Sequence, residues 1–346
     1  MTPLRFAFVA CNRNSSLFRA DPSYIYRCEN LAAALESAGH QVTLLHLKSL
    51  ALFNRFDVMV FHRPRWSPSL FAALTLLRRR STVLVADFDD LVFEEGFAAA
   101  SPGVVNGLVS LASTRSNFKA ARRALALFDR ITVSTEPLAG HVRDCFPSAR
   151  VAIVPNAVHA AWQRHAEQQT QTPARPVITY FPGTRSHDRD FATVAVALER
   201  FLEKYPEARL QVTGPLNFSL PSRAGQVVQR EKVPFAQYHR HVREGWVNLA
   251  PLEDTPFNRC KSALKVLEAG FWNIPTVCSP IPDALRFEGA GALLADGEEA
   301  WFGWLESMLD PEKYQAVTCG LRERVLQVAQ VEEVARGMVD FLGEAA

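Results

Sequence analysis

Short apolar runs alternate with longer helical patterns along nearly the whole chain, and this alternation constrains the fold more than any other feature. The runs of the first half are residues 5–10, 41–45, 58–61, 82–86, 131–134 and 151–154, and those of the second half are 177–181, 210–213, 247–249 and 276–278. Most of them are apolar throughout, which is typical of parallel strands that helices cover on both faces. The pattern predicts an α/β fold with parallel sheets.

A polar stretch divides the chain into two parts. Residues 168–176 (Gln-Gln-Thr-Gln-Thr-Pro-Ala-Arg-Pro) have no apolar periodicity, which predicts a linker. At roughly 150 residues per domain, 346 residues are enough for two domains. We expect an N-terminal domain over residues 1–167 and a C-terminal domain over 177–320. The helical pattern of residues 321–346 can pack on either half, and we group it with the first.

Composition and charge exclude several classes of protein. Lys and Arg total 38 and Asp and Glu 36, so the net charge of +2 gives no reason to expect nucleic acid as a partner. No apolar run approaches the roughly 18 residues of a membrane-spanning helix, and the first run is too short for a secretory signal. The six cysteines form no Cys-x-x-Cys pair, which indicates reduced thiols and no zinc site. We expect a cytoplasmic protein.

A basic segment in the second half is a candidate anion site. Residues 258–271 have the pattern of one helix, on which Lys261, Lys265 and Glu268 share a face at i, i+4 and i+7. Cations in a first turn oppose the helix dipole, whereas a bound phosphate would reverse the effect. The alternative is a solvated basic face.

A second segment offers the same chemistry. The predicted strand 177–181 runs into Pro182-Gly183-Thr184-Arg185-Ser186-His187, and a helical pattern follows. A glycine turn between strand and helix lets the backbone approach a phosphate, with Arg185 and His187 as donors. The alternative is an ordinary helix that Ser186 caps.

These two segments resemble a known family. Residues 180–191 and the block Ala-Pro-Leu…Phe-Asn-Arg-Cys-Lys-Ser…Lys…Glu at 250–268 are similar to GT-B glycosyltransferases, and more narrowly to the retaining group-1 (GT4-like) branch of bacterial surface-polysaccharide synthesis. The resemblance implies two Rossmann-like domains with parallel sheets facing across a cleft. It also implies a nucleotide-sugar donor, bound as a substrate by the C-terminal domain, with no cofactor and no essential metal.

The resemblance assigns roles to individual residues. Glu268 matches the glutamate that binds the nucleotide ribose, Lys261 and Ser262 match a phosphate-contacting segment, and Gly183-Thr184 match the loop near the diphosphate. The predicted donor-binding residues are Gly183, Thr184, Arg185, His187, Asn258, Lys261, Ser262, Lys265 and Glu268.

The chain departs from the family at one position. The family has a second glutamate eight positions before the first, and that position is Cys260 here. Glu253 and Asp254 are the candidates to replace it.

The first half carries candidate catalytic residues at two strand ends. Asp87-Phe88-Asp89-Asp90 follows strand 82–86, and His62-Arg63-Pro64-Arg65 follows strand 58–61, at the edge where α/β sheets bind ligands. The carboxylates can bind an acceptor or transfer protons, clamp a metal, or simply lie in a solvated loop. The resemblance favours the first, with His62, Asp89 and Asp90 as catalytic residues. The two arginines can pair with these carboxylates or bind an anion.

Weaker candidates complete the list, namely Asn12, Arg13, Asn14, Tyr26, Arg27 and Asn156. Residues 68–80 and 118–130 are basic on one side, which fits either an anionic inner membrane surface that holds lipid-linked acceptors or ordinary amphipathic helices.

The sequence thus predicts a metal-independent, retaining glycosyltransferase that moves a sugar from a nucleotide-sugar to a glycan or lipid-linked acceptor in bacterial polysaccharide synthesis. The alternatives are an enzyme like a nucleotide-sugar 2-epimerase, which shares the fold, and a non-catalytic subunit that binds nucleotide-sugar.

Overall fold

Two parallel six-stranded sheets form the framework of the protein. The computed structural model describes residues 3–51, 54–165 and 176–343, with the side chains of Pro221 and Ser222 left out; the predicted linker, apart from Pro176, lies outside this range. The strands are β1 (Arg5–Ala10), β2 (Gln41–His46), β3 (Val58–His62), β4 (Val83–Phe88), β5 (Arg130–Val133), β6 (Arg150–Ile153), β7 (Val177–Tyr180), β8 (Arg209–Thr213), β9 (Val227–Arg230), β10 (Val247–Ala250), β11 (Thr276–Cys278) and β12 (Ala292–Leu294).

The first sheet has the order β2-β1-β3-β4-β5-β6 and the second β12-β11-β10-β7-β8-β9, and every pairing among these strands is parallel. The predicted parallel α/β architecture is confirmed. Strands β9 and β12 were not predicted. β9 is an edge strand with exposed and polar residues, so it lacks the continuous apolar run of a central strand. β12, at the edge of the second sheet, is apolar but only three residues long.

Helices cover both sheets. The α-helices are α1 (Pro22–Tyr24), α2 (Asn30–Ser37), α3 (Pro68–Arg78), α4 (Pro102–Val105), α5 (Leu111–Leu125), α6 (Glu136–Cys145), α7 (Ala160–Gln163), α8 (Asp188–Lys204), α9 (Phe235–Val242), α10 (Pro256–Arg259), α11 (Leu264–Gly270), α12 (Pro282–Leu285), α13 (Glu298–Ser307), α14 (Pro311–Thr318), α15 (Leu321–Ala329) and α16 (Val331–Gly343). No helix in these ranges combines the length and the apolar character needed to cross a membrane.

Local sequence explains where several of these helices begin. Ser67, Thr135 and Thr255 each accept a hydrogen bond from a backbone N–H in the first turn of α3, α6 and α10, and a proline follows within that turn. A hydroxyl at the N-cap with proline just inside the helix satisfies or removes N–H groups that have no partner in the helix.

The predicted helix 258–271 is wrong as a single element. The chain forms α10 and α11 with a break between them, and the backbone N–H of Ala263 donates to Asp283 Oδ2 (2.8 Å) instead of to the preceding turn. Lys261 and Ser262 lie in this break. Side-chain periodicity carries no signal for a backbone bond to a residue 20 positions away.

The C-terminal helices divide between the two sheets. Helix α15 packs on α11, where Gly270 is required because a Cβ there would lie 2.7 Å from Val325 Cγ2. Helix α16 packs on α2, and its buried Val331, Ala335 and Met338 join the core beneath the first sheet. Helix α15 also contacts the first half, where the N–H of Val158 donates to the carbonyl of Ala329 (2.9 Å).

A buried ion pair organises the carboxyl end of the first sheet. Arg27 Nη2 lies 2.5 Å from Asp87 Oδ1, Arg27 Nε donates to Oδ2 (3.1 Å), and both side chains are at most 2% exposed. Thr132 of β5 also donates to Asp87, and Arg27 donates to the carbonyl of Val154 and to Asn156 Oδ1. Asp87 is therefore a structural residue that fixes the turn after α1.

Asp87→Asn is expected to lower the free energy of unfolding by about 3–5 kcal/mol, because it leaves the buried Arg27 guanidinium without its charge partner. Urea denaturation measures the change. Glu136→Gln is the control, since it breaks an exposed pair with Arg143 and should cost less than about 1 kcal/mol. Equal losses in the two variants would contradict the structural role of Asp87.

Candidate functional site

A cleft of 620 Å³ lies between the carboxyl ends of the two sheets, and both halves line it. The first half contributes the turn around Ser23 and Tyr26, together with Asp89, Asp90 and Asn156. A larger cavity of 1320 Å³ opens at the other end of the first sheet, but no predicted site residue lines it. Because ligands of α/β sheets bind at carboxyl ends where polar groups converge, the cleft is the candidate site.

The loop after β7 forms one wall. Gly183 has a φ of +75°, and Gly183, Thr184 and His187 line the cleft, whereas Arg185 is exposed outside it. His187 Nδ1 lies 2.7 Å from Asp190 Oδ2. Burial, together with Lys265 and Lys261, lowers the pKa of His187 to about 4 despite Asp190, so its imidazole is neutral near pH 7. Of the loop residues predicted to bind donor, all except Arg185 therefore face the cleft.

Asn258 does not face it. The Asn258 amide donates to Asp190 Oδ1 (2.9 Å) and to the carbonyl of Glu253, and Asp190 also accepts from the Glu253 N–H. Asn258 therefore fastens the loop before α10 to the start of α8, and the expectation that it lines the donor site is wrong.

Lysine side chains from the break before α11 and from α11 itself line the cleft. Lys261 Nζ lies 3.5 Å from Asp90 Oδ1 of the first half, and Ser262 Oγ accepts from Asn156 Nδ2 (2.8 Å), also of the first half. Lys265 lines the cleft, and burial lowers its pKa. Lys261, Ser262 and Lys265 are brought together as predicted, although Lys261 precedes α11 instead of lying on it. Arg259, the last residue of α10, does not line the cleft and pairs with Asp254.

Glu268 lies at the inner end of the cleft and is 5% exposed. Tyr26 donates to its Oε1 (2.5 Å) and Tyr238 to its Oε2 (2.9 Å). Burial raises the pKa of Glu268 to about 7, against the opposing effect of the two tyrosines and Lys265. The carboxyl group therefore accepts one hydroxyl donor from each half of the chain.

Arg63 pairs with both carboxylates of the opposite wall. Its Nε lies 2.5 Å from Asp89 Oδ1 and its Nη2 2.8 Å from Asp90 Oδ2. Arg63 has a φ of +48°, an uncommon conformation for a residue other than glycine. Of the two roles open to the arginines after β3, Arg63 takes the pairing with carboxylates.

His62 is buried behind the cleft and does not line it. Burial opposes ionisation of Asp89, but Arg63, His62 and the Ser23 hydroxyl lower its pKa. Ser23 Oγ donates to this carboxylate (2.5 Å), so His62 Nε2, 2.7 Å away, is the donor to Ser23. Burial lowers the pKa of His62, and its Nδ1 has no partner among the described residues. His62 can thus reach a substrate only through Ser23 or Asp89.

The metal-clamp alternative for residues 87–90 does not fit this donor set. Asp87 faces Arg27, while Asp89 and Asp90 both bind the guanidinium of Arg63, so a cationic side chain already lies where these two carboxylates meet. Within the ranges the structure describes, no group of three or more His, Cys, Asp or Glu side chains is placed to hold a metal ion.

The two candidates for the role of the second glutamate in the resembled family, Glu253 and Asp254, lie outside the cleft. Glu253 pairs with Arg189 and Asp254 with Arg259, and neither lines the cleft. Cys260 is 1% exposed, packs in the core of the first half and accepts from Thr135 Oγ1 (2.9 Å) through its carbonyl.

Ser23 and Tyr238 line the cleft but were not among the predicted site residues. Ser23 follows Asp21-Pro22, which signals only a helix start, and Tyr238 lies in a polar helix without a motif. No local signal marks either residue as part of the cleft, because their partners are 30 or more positions away.

Glu268→Gln is expected to change how the free energy of unfolding depends on pH. Folding raises the pKa of Glu268 from 4.5 to about 7, so the folded state binds more protons in that window and its stability falls as the pH rises. At about 1.4 kcal/mol per pKa unit, the wild type loses up to about 3 kcal/mol relative to this variant across the window.

Glu299→Gln is the control of opposite sign, because a hydrogen bond from Arg200 lowers the pKa of Glu299. The wild type should therefore gain stability relative to this variant as the pH rises towards 4.5, and the difference should stay level across the higher window in which Glu268 titrates. Urea denaturation at several pH values measures both. A flat difference for Glu268→Gln would contradict the titration assigned to this carboxyl.

Comparison with known proteins identifies the fold. No protein-family model matches the chain, and no curated protein matches it. Sucrose-phosphate synthase from Thermosynechococcus elongatus superposes with a TM-score of 0.64 at 14% identity over 98% of both chains. An alpha-glucosyltransferase in complex with UDP gives 0.68 at 12% identity over 99% of this chain and 100% of that one. A UDP-N-acetylglucosamine 2-epimerase homologue from Listeria monocytogenes gives 0.54 at 10% identity over 99% and 96%. The chain has the GT-B fold, in which two Rossmann-like domains with parallel sheets face each other across a cleft.

Proposed function

We propose that the protein is a glycosyltransferase that moves a sugar from a nucleotide-sugar donor to an acceptor hydroxyl. One observation carries the proposal. The cleft brings together the buried carboxyl group of Glu268, which two tyrosines hold, the lysines Lys261 and Lys265, and the opposing carboxylates of Asp89 and Asp90. The shared fold supports it, since structures of glycosyltransferases superpose over nearly the whole chain.

The donor side is formed mainly by the second half. Glu268 accepts hydrogen bonds from the ribose hydroxyls, as the resemblance to group-1 enzymes implies. Lys261, Lys265 and Ser262 face the diphosphate. In a partly desolvated cleft, fixed cations stabilise the negative charge that develops on the departing diphosphate, without a metal. The UDP-bound structure of the same fold makes UDP the first nucleotide to test.

The acceptor side is formed by Asp89 and Asp90. Their carboxylates accept hydrogen bonds from a sugar hydroxyl and orient it towards the donor, and Arg63 compensates their charge. Asp90 Oδ1 faces Lys261 at 3.5 Å. A donor diphosphate that binds Lys261 frees this oxygen for the acceptor, so the donor prepares the acceptor site.

Finer features of the proposed activity rest on the sequence resemblance to group-1 enzymes. We infer retention at the anomeric carbon, independence of metal and a role in bacterial polysaccharide synthesis. We also infer a glycan or lipid-linked acceptor at the cytoplasmic face of the inner membrane. Exposed cations of α5, Lys119, Arg122 and Arg123, provide a surface for anionic lipid.

A thermal-shift screen against UDP, GDP, dTDP and CMP tests the proposal first, since a ligand at 100 times its Kd adds about 2.7 kcal/mol of stability. Product analysis with the matching nucleotide-sugar then separates the alternatives. An epimerase converts the donor to its 2-epimer without acceptor, and a binding subunit leaves it unchanged. Turnover in EDTA tests metal independence.

Lys261→Ala is expected to weaken binding of the nucleoside diphosphate by about 1.5–3 kcal/mol, because a charge-assisted hydrogen bond to phosphate is lost. Calorimetric titration measures the change, and Lys313→Ala on exposed α14 is the matched control with unchanged affinity. Equal affinities for both variants would remove Lys261 from the donor site.

Asp90→Asn is expected to lower transfer at least about 100-fold, an effect of about 2.7 kcal/mol on the barrier, because the acceptor loses a charged partner. Affinity for the diphosphate should stay equal or rise, because a carboxylate that competes for Lys261 is neutralised. Steady-state kinetics and calorimetry check the two parts. If Asp90→Asn weakened donor binding as much as Lys261→Ala does, Asp90 would belong to the donor site.

A further inference from the structure

We propose that Tyr26, a residue of the first half, is a positioning residue for the donor ribose. Its hydroxyl reaches across the cleft and orients the Glu268 carboxylate, so the ribose subsite of the second half is complete only with a group from the first. The inference rests on the proposed function, because it takes Glu268 as the ribose-binding carboxylate.

The hydrogen bonds leave room for a ligand. Each oxygen of Glu268 accepts one tyrosine hydroxyl, from Tyr26 at 2.5 Å and from Tyr238 at 2.9 Å. A carboxylate oxygen accepts two hydrogen bonds, so each oxygen keeps one free acceptor position. All three side chains line the cleft. The two remaining positions suit a pair of neighbouring hydroxyls, such as the 2′ and 3′ groups of a ribose.

Packing fixes the Tyr26 ring. The ring is 4% exposed and makes edge contacts with His159 (5.7 Å between centroids) and with Phe235 of α9 (5.6 Å). Phe235 belongs to the same helix as Tyr238, so Tyr26 contacts the second half through both its ring and its hydroxyl. The hydroxyl therefore has little freedom to leave Glu268 while the two halves are together.

The backbone that carries Tyr26 is also fixed. Residues Ile25–Glu29 form a π-helical turn, and such turns are frequent at functional sites. Arg27, one residue after Tyr26, is in the buried pair with Asp87 at the sheet edge. The position of the hydroxyl is thus set by the first sheet.

Charge favours the same arrangement. Burial of Glu268 disfavours the ionised form that accepts from two ribose hydroxyls, and the groups that face this carboxyl and oppose the effect are Tyr26, Tyr238 and Lys265. Removing one hydroxyl therefore weakens acceptance of ribose hydroxyls without removing the carboxylate. By linkage, donor binding and contact between the halves strengthen each other.

The test compares affinities for UDP and 2′,3′-dideoxy-UDP by calorimetry in the full-length protein. We expect the wild type to bind UDP at least tenfold more tightly, and Tyr26→Phe to reduce this ratio below threefold with the affinity for dideoxy-UDP unchanged within twofold. Tyr238→Phe should reduce the ratio as well. Tyr314→Phe is the matched control with the wild-type ratio, since Tyr314 donates to the Trp246 carbonyl outside the cleft.

The outcomes separate the inference from the proposed function. If the wild type binds neither nucleotide, the proposed UDP site is wrong. If it binds UDP and dideoxy-UDP with equal affinity, Glu268 does not contact the ribose hydroxyls, and Tyr26 then has no role in positioning it. A Tyr26→Phe variant with the wild-type ratio would overturn the inference alone. In the Glu268→Gln background, Tyr26→Phe should leave the ratio unchanged, because the two residues act through one carboxylate. A further decrease there would also overturn it.

Discussion

The buried pair of Arg27 and Asp87 is the interaction on which the geometry of the cleft depends. It joins the turn after α1 to β4, and through Thr132, Val154 and Asn156 it reaches β5 and the turn after β6. Asn156 in turn donates to Ser262 of the second half. Two desolvated charges hold their positions only if every hydrogen bond around them is made, so the groups attached to this pair have little freedom. The Arg27–Asp87 pair therefore fixes the positions of Ser23, Tyr26 and Ser262.

Local pattern was sufficient for the framework and for part of the site. Apolar runs predicted the central strands because helices cover both faces of these strands. The prediction that polar residues after β3, β4 and β7 lie at one edge also placed His62, Asp89 and Gly183 near the cleft. Helical spacing placed Lys265 and Glu268 together, and both line the cleft from α11. Lys261 lines it too, although it lies in the break before that helix and not on the helix as predicted. These predictions succeed because they need only the strand order and the position of a residue along its element.

Predictions failed where a distant residue decides the outcome. The break before α11 depends on Asp283, and the position of Asn258 depends on Asp190, 68 residues away. Ser23 lies 2.7 Å from His62 and separates this imidazole from the cleft. A single sequence shows that a carboxylate or an amide is present, but its partner is set by tertiary packing. The polar contacts within the site therefore could not be predicted.

The cysteine at position 260 and the carboxylate of Asp90 are related electrostatically. Burial, and then Asp90 and Glu94, raise the pKa of Cys260 to about 12, so position 260 carries a neutral thiol in a negative environment. A glutamate there would be buried beside two other carboxylates and would be strongly disfavoured in its charged form. Asp90, which lies 3.5 Å from Lys261, already places a carboxylate of the first half close to this position. A neutral thiol at position 260 adds no further negative charge beside Asp90 and Glu94, and this suits a buried site whose carboxylate is supplied by position 90.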